Sequence, residues 1–179
     1  SFVESVQAMH PYYLIRALGS MLSWALTDHW IMFWIGTGSN GKNTLGDLIS
    51  WIMGDYSKVI PSDTPMSAMS GNKHPTDMAN LRGVRMAISS EVSEGAFWDD
   101  ARIKSLTGDE MISARFMRQD FFEFRRTHKH VVFGNNRPSL RVVDTAMRRR
   151  FHIVPFNATF DEDTRDPFMS EKLRGESPQ

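Results

Sequence analysis

The stretch Gly36-Thr37-Gly38-Ser39-Asn40-Gly41-Lys42-Asn43-Thr44 fits the phosphate-loop pattern GxxxxGK[ST] as far as Lys42 and departs from it at the next residue. In such a loop glycines let backbone N–H groups curl around phosphate. The following helix N-terminus adds partial positive charge, and the lysine neutralises the β- and γ-phosphates. Gly36, Gly38, Asn40, Gly41, Lys42, Asn43 and Thr44 are therefore the candidate residues for holding a nucleoside triphosphate. The place of the usual magnesium-binding hydroxyl is taken by Asn43, and Thr44 comes one residue late, about 100° further round a helix. Magnesium accepts neutral oxygen ligands and keeps several waters. The Asn43 amide oxygen and the Thr44 hydroxyl are accordingly the expected metal-side groups.

A phosphate loop that hydrolyses also needs a carboxylate at the end of a neighbouring strand, to hold magnesium or to orient water. Glu91 stands at the end of the apolar run 84–91, preceded by Ser90 where a second acid would sit. Another apolar run ends in Asn135 and Asn136; an amide there either bonds the γ-phosphate or attacking water, or is a turn residue after Gly134. Arg148, Arg149 and Arg150 precede a further apolar run. On the residues alone a solvated basic face explains them best, and an arginine finger offered to a neighbouring subunit is the sharper alternative. His128 and His130 are the only closely spaced histidines. With no third ligand in view, they are expected to be a surface pair rather than a metal site.

These groups require elements to place them. Residues 1–28 read as helical, with Gly19 as a soft break. Residues 29–36 read as a buried strand entering the loop, and residues 42–54 as a helix with Leu45, Leu48, Ile49 and Ile52 on one face. Residues 55–80 read as loop with a short strand at 58–61, and residues 97–108 as a helix. Residues 111–124 alternate as a β-hairpin, and 129–136 and 151–156 supply two more strands. Strands separated by helices predict an α/β fold with a central parallel sheet and the hairpin as an antiparallel insertion. The expected organisation is an N-terminal helical segment (1–28), a core (29–160) and a C-terminal tail (161–179).

The chain has 179 residues, 41% hydrophobic and 23% charged, the composition of a globular domain. Lys plus Arg and Asp plus Glu balance at 21 each, so any nucleic-acid contact must rest on local patches rather than a global field. With no cysteine, disulfides, thiolate zinc sites and cysteine nucleophiles are excluded, and a reducing cytoplasm suits the composition. No apolar stretch is long enough to span a bilayer. The start at Ser1 and the polar ending "RGESPQ" are what a piece of a longer protein would show.

Taken together and in order, "GTGSNGK", "LRGVRMAISSE", "ARIKSLTG", "ISARFMRQDFFEF" and "FGNNRPSLRVVDTAMRRRFHIVPF" resemble the superfamily 3 helicase domain of phage and plasmid primase-helicases, the group related to poxvirus and satellite-phage replicative helicases. The resemblance covers roughly residues 15–175. It implies an AAA+-like core that assembles as a ring, usually a hexamer, with ATP and Mg2+ between subunits. The ring would translocate on single-stranded or forked DNA, with a primase fused or in partnership, in the cytoplasm of a bacterial host. By position it implies Gly36, Gly38, Gly41 and Lys42 as the Walker A loop, Glu91 as the Walker B acid and Asn135 as the sensor. It implies Arg150, and after it Arg149, as the arginine finger. It also implies that the hairpin projects into the ring channel, with Arg115 and Arg118 on DNA phosphates near a tip around 118–120. The aromatics Phe116, Phe121, Phe122 and Phe124 are expected to anchor the hairpin more than to stack on bases.

Asn43 departs from the family pattern. So does "TGDE" where "TGGD" is usual, which places Asp109 at a glycine position. Two other functions compete with a DNA helicase: a DNA-binding or assembly module with a degraded ATP site, and a monomeric P-loop kinase-like enzyme.

Overall fold

The computed structural model describes residues 11–23, 28–66, 75–90, 97–136, 139 and 144–176. Five parallel strands form the central sheet: β1 (Ile31–Ile35), β2 (Ser57–Val59), β3 (Met86–Ser89), β6 (Lys129–Gly134) and β7 (Phe151–Pro155). Their order is β2-β3-β6-β1-β7. Between β3 and β6 the chain leaves the sheet to make an antiparallel pair, β4 (Met111–Ala114) and β5 (Phe122–Arg125). The helices are α1 (Pro11–Met21), α2 (Lys42–Met53), α3 (Pro75–Ala79), α4 (Asp100–Gly108), α5 (Thr145–Arg148) and α6 (Met169–Glu176). This is the expected α/β core with its inserted hairpin.

The sheet folds this way because its central strands are apolar on both faces. β1 and β6 are buried almost throughout, as strands covered by helices on two sides must be. One layer packs Met32, Trp34, Val131 and Phe133 against α1 and α2; the other packs Ile31, Phe33 and Val132 against α4 and α5. Trp34 stacks on Phe133 with ring centroids 4.8 Å apart, directly below the phosphate loop. A third cluster joins Leu81, Leu106, Ile112, Ala114 and Phe124, and so roots the hairpin in the body.

Several local expectations change. The buried stripe of α2 runs Lys42, Leu45, Gly46, Ile49 and Met53, which turns Ile52 out to solvent. The strand expected at 58–61 lies at 57–59, and α3, α5 and α6 form where no helix was expected. Each of these three is short, too short for periodicity to mark it. Gly19 sits inside α1 without breaking it. Asp109 takes φ −70° and ψ 135°, an ordinary extended conformation, so the turn into the hairpin has no need of glycine there. Its carbonyl accepts a 2.9 Å hydrogen bond from Arg126 Nε.

His128 and His130 are not a surface pair. Both rings are wholly buried, edge-to-face at 4.8 Å. The expectation failed because it treated 128–130 as a half-exposed strand, whereas β6 is the middle strand of the sheet. Burial pushes the His130 imidazole down to about 3, helped by Arg126 and Arg102; His128 is also held well below its ordinary value by burial, His130 and Arg126. A histidine kept neutral in the folded chain and free to protonate when unfolded makes stability fall as pH drops. The loss begins below the unfolded value near 6.5 and grows by about 1.4 kcal/mol per pH unit for each group. The urea midpoint should therefore be flat above pH 7 and decline from pH 6.5 to 5, with a shallower decline in His130→Leu. A midpoint independent of pH across that window would contradict this account.

Among the described residues no helix is long and apolar enough to cross a membrane. Among the same residues no group of three or more His, Cys, Asp or Glu side chains is placed to hold a metal ion.

Candidate nucleotide site

The register of the sheet brings the candidate residues together at one end. Ile35 lies level with Gly134 of β6 and with Pro155 of β7, so the chain leaves β1 with Asn135 on one flank and the segment after β7 on the other. Gly36 N–H donates to Gly134 O at 3.3 Å. A Cβ on Gly36 would overlap the Asn40 amide and lie 2.6 Å from Phe156 O, so only glycine fits this exit.

The next residues turn through the left-handed region: φ is 105° at Gly38, 44° at Ser39 and 80° at Gly41. Such successive turns point backbone N–H groups inward as an anion-binding concavity, and α2 begins at its floor. Gly41 is the cap residue of α2 and offers no side-chain acceptor, so the first N–H groups of the helix are left for a ligand.

Lys42 is buried, with only 5% of its surface exposed. Its Nζ donates to Gly36 O at 2.7 Å and to Asn40 Oδ1 at 2.9 Å. Both acceptors are neutral, and no carboxylate among the described residues pairs with it. Burial lowers its pKa from the ordinary lysine value. A sequestered ammonium without a counter-ion is an unfavourable arrangement that an incoming anion relieves.

Around this loop lies a cleft of about 910 Å³, lined by residues 38–45, Ser90, Gly134 and Asn135, and closed on one side by the chain after β7. Asn43 is exposed and Thr44 half-buried, and both line it. β3 delivers Ser90 to its wall. Glu91 lies outside the described residues. The groups present fit a polyphosphate well. Magnesium would find the Asn43 and Thr44 oxygens in the same cleft, with waters completing its shell.

Residues 161–176 belong to the segment expected to be a C-terminal tail. They supply Thr164, Arg165, Asp166, Met169 and Leu173 to the cleft. The signal was available in "DEDTRDPFMSEKL", where two aspartates precede turn and helix residues at capping distance.

The remaining candidates lie elsewhere. Arg149 and Arg150 stand before β7, at the end of the sheet opposite the loop; five strand residues separate the two levels, about 16 Å. Arg150 is half-buried, its Nε donating to Thr107 Oγ1 at 3.1 Å and one terminal NH to Ala146 O at 2.8 Å. Arg149 is exposed. At the hairpin tip, residues 115–121 are all exposed, and Arg118 has φ 60°. Phe124 is buried and Phe122 half-buried, as anchors should be, but Phe116 and Phe121 are exposed. Phe116 lies against Phe122 at 5.5 Å, and the Arg115 guanidinium sits 4.8 Å from the Phe121 ring centre.

Comparison with known proteins places the chain in a family. Residues 34–150 match the model of a family described as "Family of unknown function (DUF5906)". The chain belongs to the DUF5906 family. The match takes in the end of β1, the loop, strands β2, β3 and β6, the hairpin and the three arginines.

This DUF5906 chain is also 30% identical over 139 residues to "Putative helicase 022R" of Frog virus 3. It is 26% identical over 152 residues to "Putative helicase L207/L206" of Acanthamoeba polyphaga mimivirus. The alignments cover 74% and 83% of the chain but 14% and 16% of those proteins. The chain thus corresponds to a small part of each relative. Among solved structures, the NrS-1 C-terminal region in its A form superposes with a TM-score of 0.68 at 16% identity, covering 90% of the chain and 38% of that structure. At that identity the likeness is one of fold.

Proposed function

We propose that this chain is the ATP-hydrolysing core of a superfamily 3 type DNA helicase that works as a ring, usually a hexamer, in viral or phage replication. The observation that carries the reading is Lys42: a buried ammonium with no carboxylate partner among the described residues, at the start of α2, inside a loop of left-handed turns. The names of the viral relatives support the DNA-unwinding part. In this reading the loop N–H groups and Lys42 bind the triphosphate, and Asn135 orients the γ-phosphate or the attacking water. Asn43 and Thr44, with Glu91, face magnesium, which when bound neutralises developing phosphate charge.

An arginine before β7 is too far from its own cleft, so it would complete the site of a neighbouring subunit. Turnover per chain should then rise with protein concentration and with added single-stranded DNA. Concentration-independent turnover would sink the shared-site reading. Asn43 and Ser90 favour one other reading, a DNA-binding module that holds nucleotide without splitting it; magnesium-dependent ATP turnover excludes that.

The hairpin tip supplies the DNA contact in this reading. Arg115 and Arg118 lift cations away from the body, where phosphate contacts are independent of sequence and sensitive to salt. Arg115→Ala/Arg118→Ala should weaken binding to a single-stranded oligonucleotide and flatten the dependence of log K on log salt by about 1.4 for the two contacts together. An unchanged slope would remove the tip from the DNA interface.

A further inference from the structure

The wall of the cleft built by the chain after β7 has features that phosphate binding alone does not use. Three hydrogen bonds fasten it to the loop: Phe156 N–H to Ile35 O at 2.7 Å, Asn40 Nδ2 to Phe156 O at 3.2 Å, and Phe160 N–H to Ser39 O at 2.8 Å. The Phe160 ring comes within 3.9 Å of the point where a Cβ on Gly41 would sit. Its fixed position beside the start of α2 is therefore set by backbone bonds on both sides of the loop. Beyond it, Asp161 accepts from Thr164 N–H and Oγ1, while Asp166 accepts from Phe168 N–H and from Lys172 Nζ. These turns are satisfied internally, and α6 then packs on α2.

Two consequences of that scaffold point to a ligand. Phe160 and Met169 line the cleft while 44% and 43% exposed, apolar surface that folding has left uncovered beside Leu173. Arg165 lines the same cleft, and its guanidinium has no hydrogen bond or ion pair among the described residues, although acidic residues stand on either side of it in sequence. An aromatic ring with aliphatic neighbours next to a phosphate loop has the chemistry of a base-binding wall, and an unpaired guanidinium has that of a phosphate ligand.

We infer that Phe160, Met169 and Leu173 hold the base of the nucleoside triphosphate, with Phe160 as the stacking surface, and that Arg165 is a phosphate ligand contributed by the same chain. This rests on the phosphate-loop reading of Lys42 and adds to it which residues distinguish a nucleotide from bare polyphosphate.

The test is calorimetric titration of the 179-residue chain with ATP and, separately, with inorganic tripolyphosphate, both with magnesium. The wild-type chain should bind ATP at least about tenfold more tightly than tripolyphosphate, because stacking is lost with the base. Phe160→Ala and Met169→Ala should each shrink that ratio while tripolyphosphate affinity stays put. Arg165→Ala should weaken both ligands alike. The two apolar side chains are partly exposed, so an unchanged melting temperature is expected and separates lost contact from lost fold. Equal wild-type affinities, or a ratio untouched by both apolar substitutions, would overturn the base assignment and leave the phosphate loop standing. If Lys42→Ala changes neither affinity, the phosphate-loop reading falls, and this inference falls with it.

Discussion

Replacing Lys42 by alanine should cost at least about a hundredfold in ATP affinity while leaving the free protein no less stable by more than about 1 kcal/mol. The two halves have one cause. In the free chain Lys42 is a buried cation whose bonds among the described residues run to neutral oxygens, Gly36 O and Asn40 Oδ1. Removing it forfeits two such bonds but also removes the cost of keeping an ammonium out of water, and the two nearly cancel. With triphosphate bound, the same ammonium makes charge-assisted bonds worth about 1.5–3 kcal/mol each, which nothing in the variant replaces. Thermal melts with and without ATP read both effects: the wild-type chain gains melting temperature with ligand, and Lys42→Ala does not. A variant that melts far below the wild-type chain without ligand, or that keeps its ligand-induced gain, would contradict the argument.

The second large effect separates two adjacent arginines. Arg150 is tied to Thr107 and Ala146, bridging the end of α4 to α5. Its loss should lower stability by about 1–3 kcal/mol, whatever happens to turnover. Arg149 is exposed at the same level and is free to extend toward a neighbouring subunit. We therefore propose Arg149 as the finger and Arg150 as the buttress that holds the segment before β7 in place. Arg149→Ala should reduce ATP turnover by about 10³-fold or more at unchanged ATP affinity and unchanged melting temperature. Mixing Arg149→Ala chains with Lys42→Ala chains should restore part of the activity, since each lacks what the other supplies. If Arg149→Ala turns over normally while Arg150→Ala binds ATP, keeps its melting temperature and fails to hydrolyse, the assignment reverts to Arg150.

What could be read from the residues was what local chemistry dictates. The loop's glycines and lysine, the strand before it and the helix after it follow from backbone requirements that act within a few residues, and they appear where expected. So does the hairpin, whose alternation separates buried Ile112, Ala114 and Phe124 from their exposed neighbours. The readings that changed depended on distant partners. His128 and His130 looked like surface residues because nothing near them in sequence reveals that β1 and β3 flank their strand on both sides. Arg165 falls in the expected tail because the segment leading to it is placed by hydrogen bonds of Phe156 to Ile35 and of Phe160 to Ser39, more than a hundred residues earlier. Asp109 looked out of place at a glycine position only until its backbone angles showed an extended residue.

β6 runs from the base of the hairpin to the edge of the cleft: Arg126, which follows β5, donates to Asp109 O ahead of β4, and Asn135 follows the last residue of β6. It is paired in parallel with β1 from His130 to Gly134 and with β3 from Lys129 to Val132. A load that enters this strand along its axis is therefore shared among many hydrogen bonds at once, in shear, rather than peeled from them one by one. Mechanically, β6 is a stiff rod about 20 Å long clamped between two others. With DNA held at Arg115 and Arg118 as proposed, work done there would have a short, unyielding path back to Asn135 at the edge of the cleft.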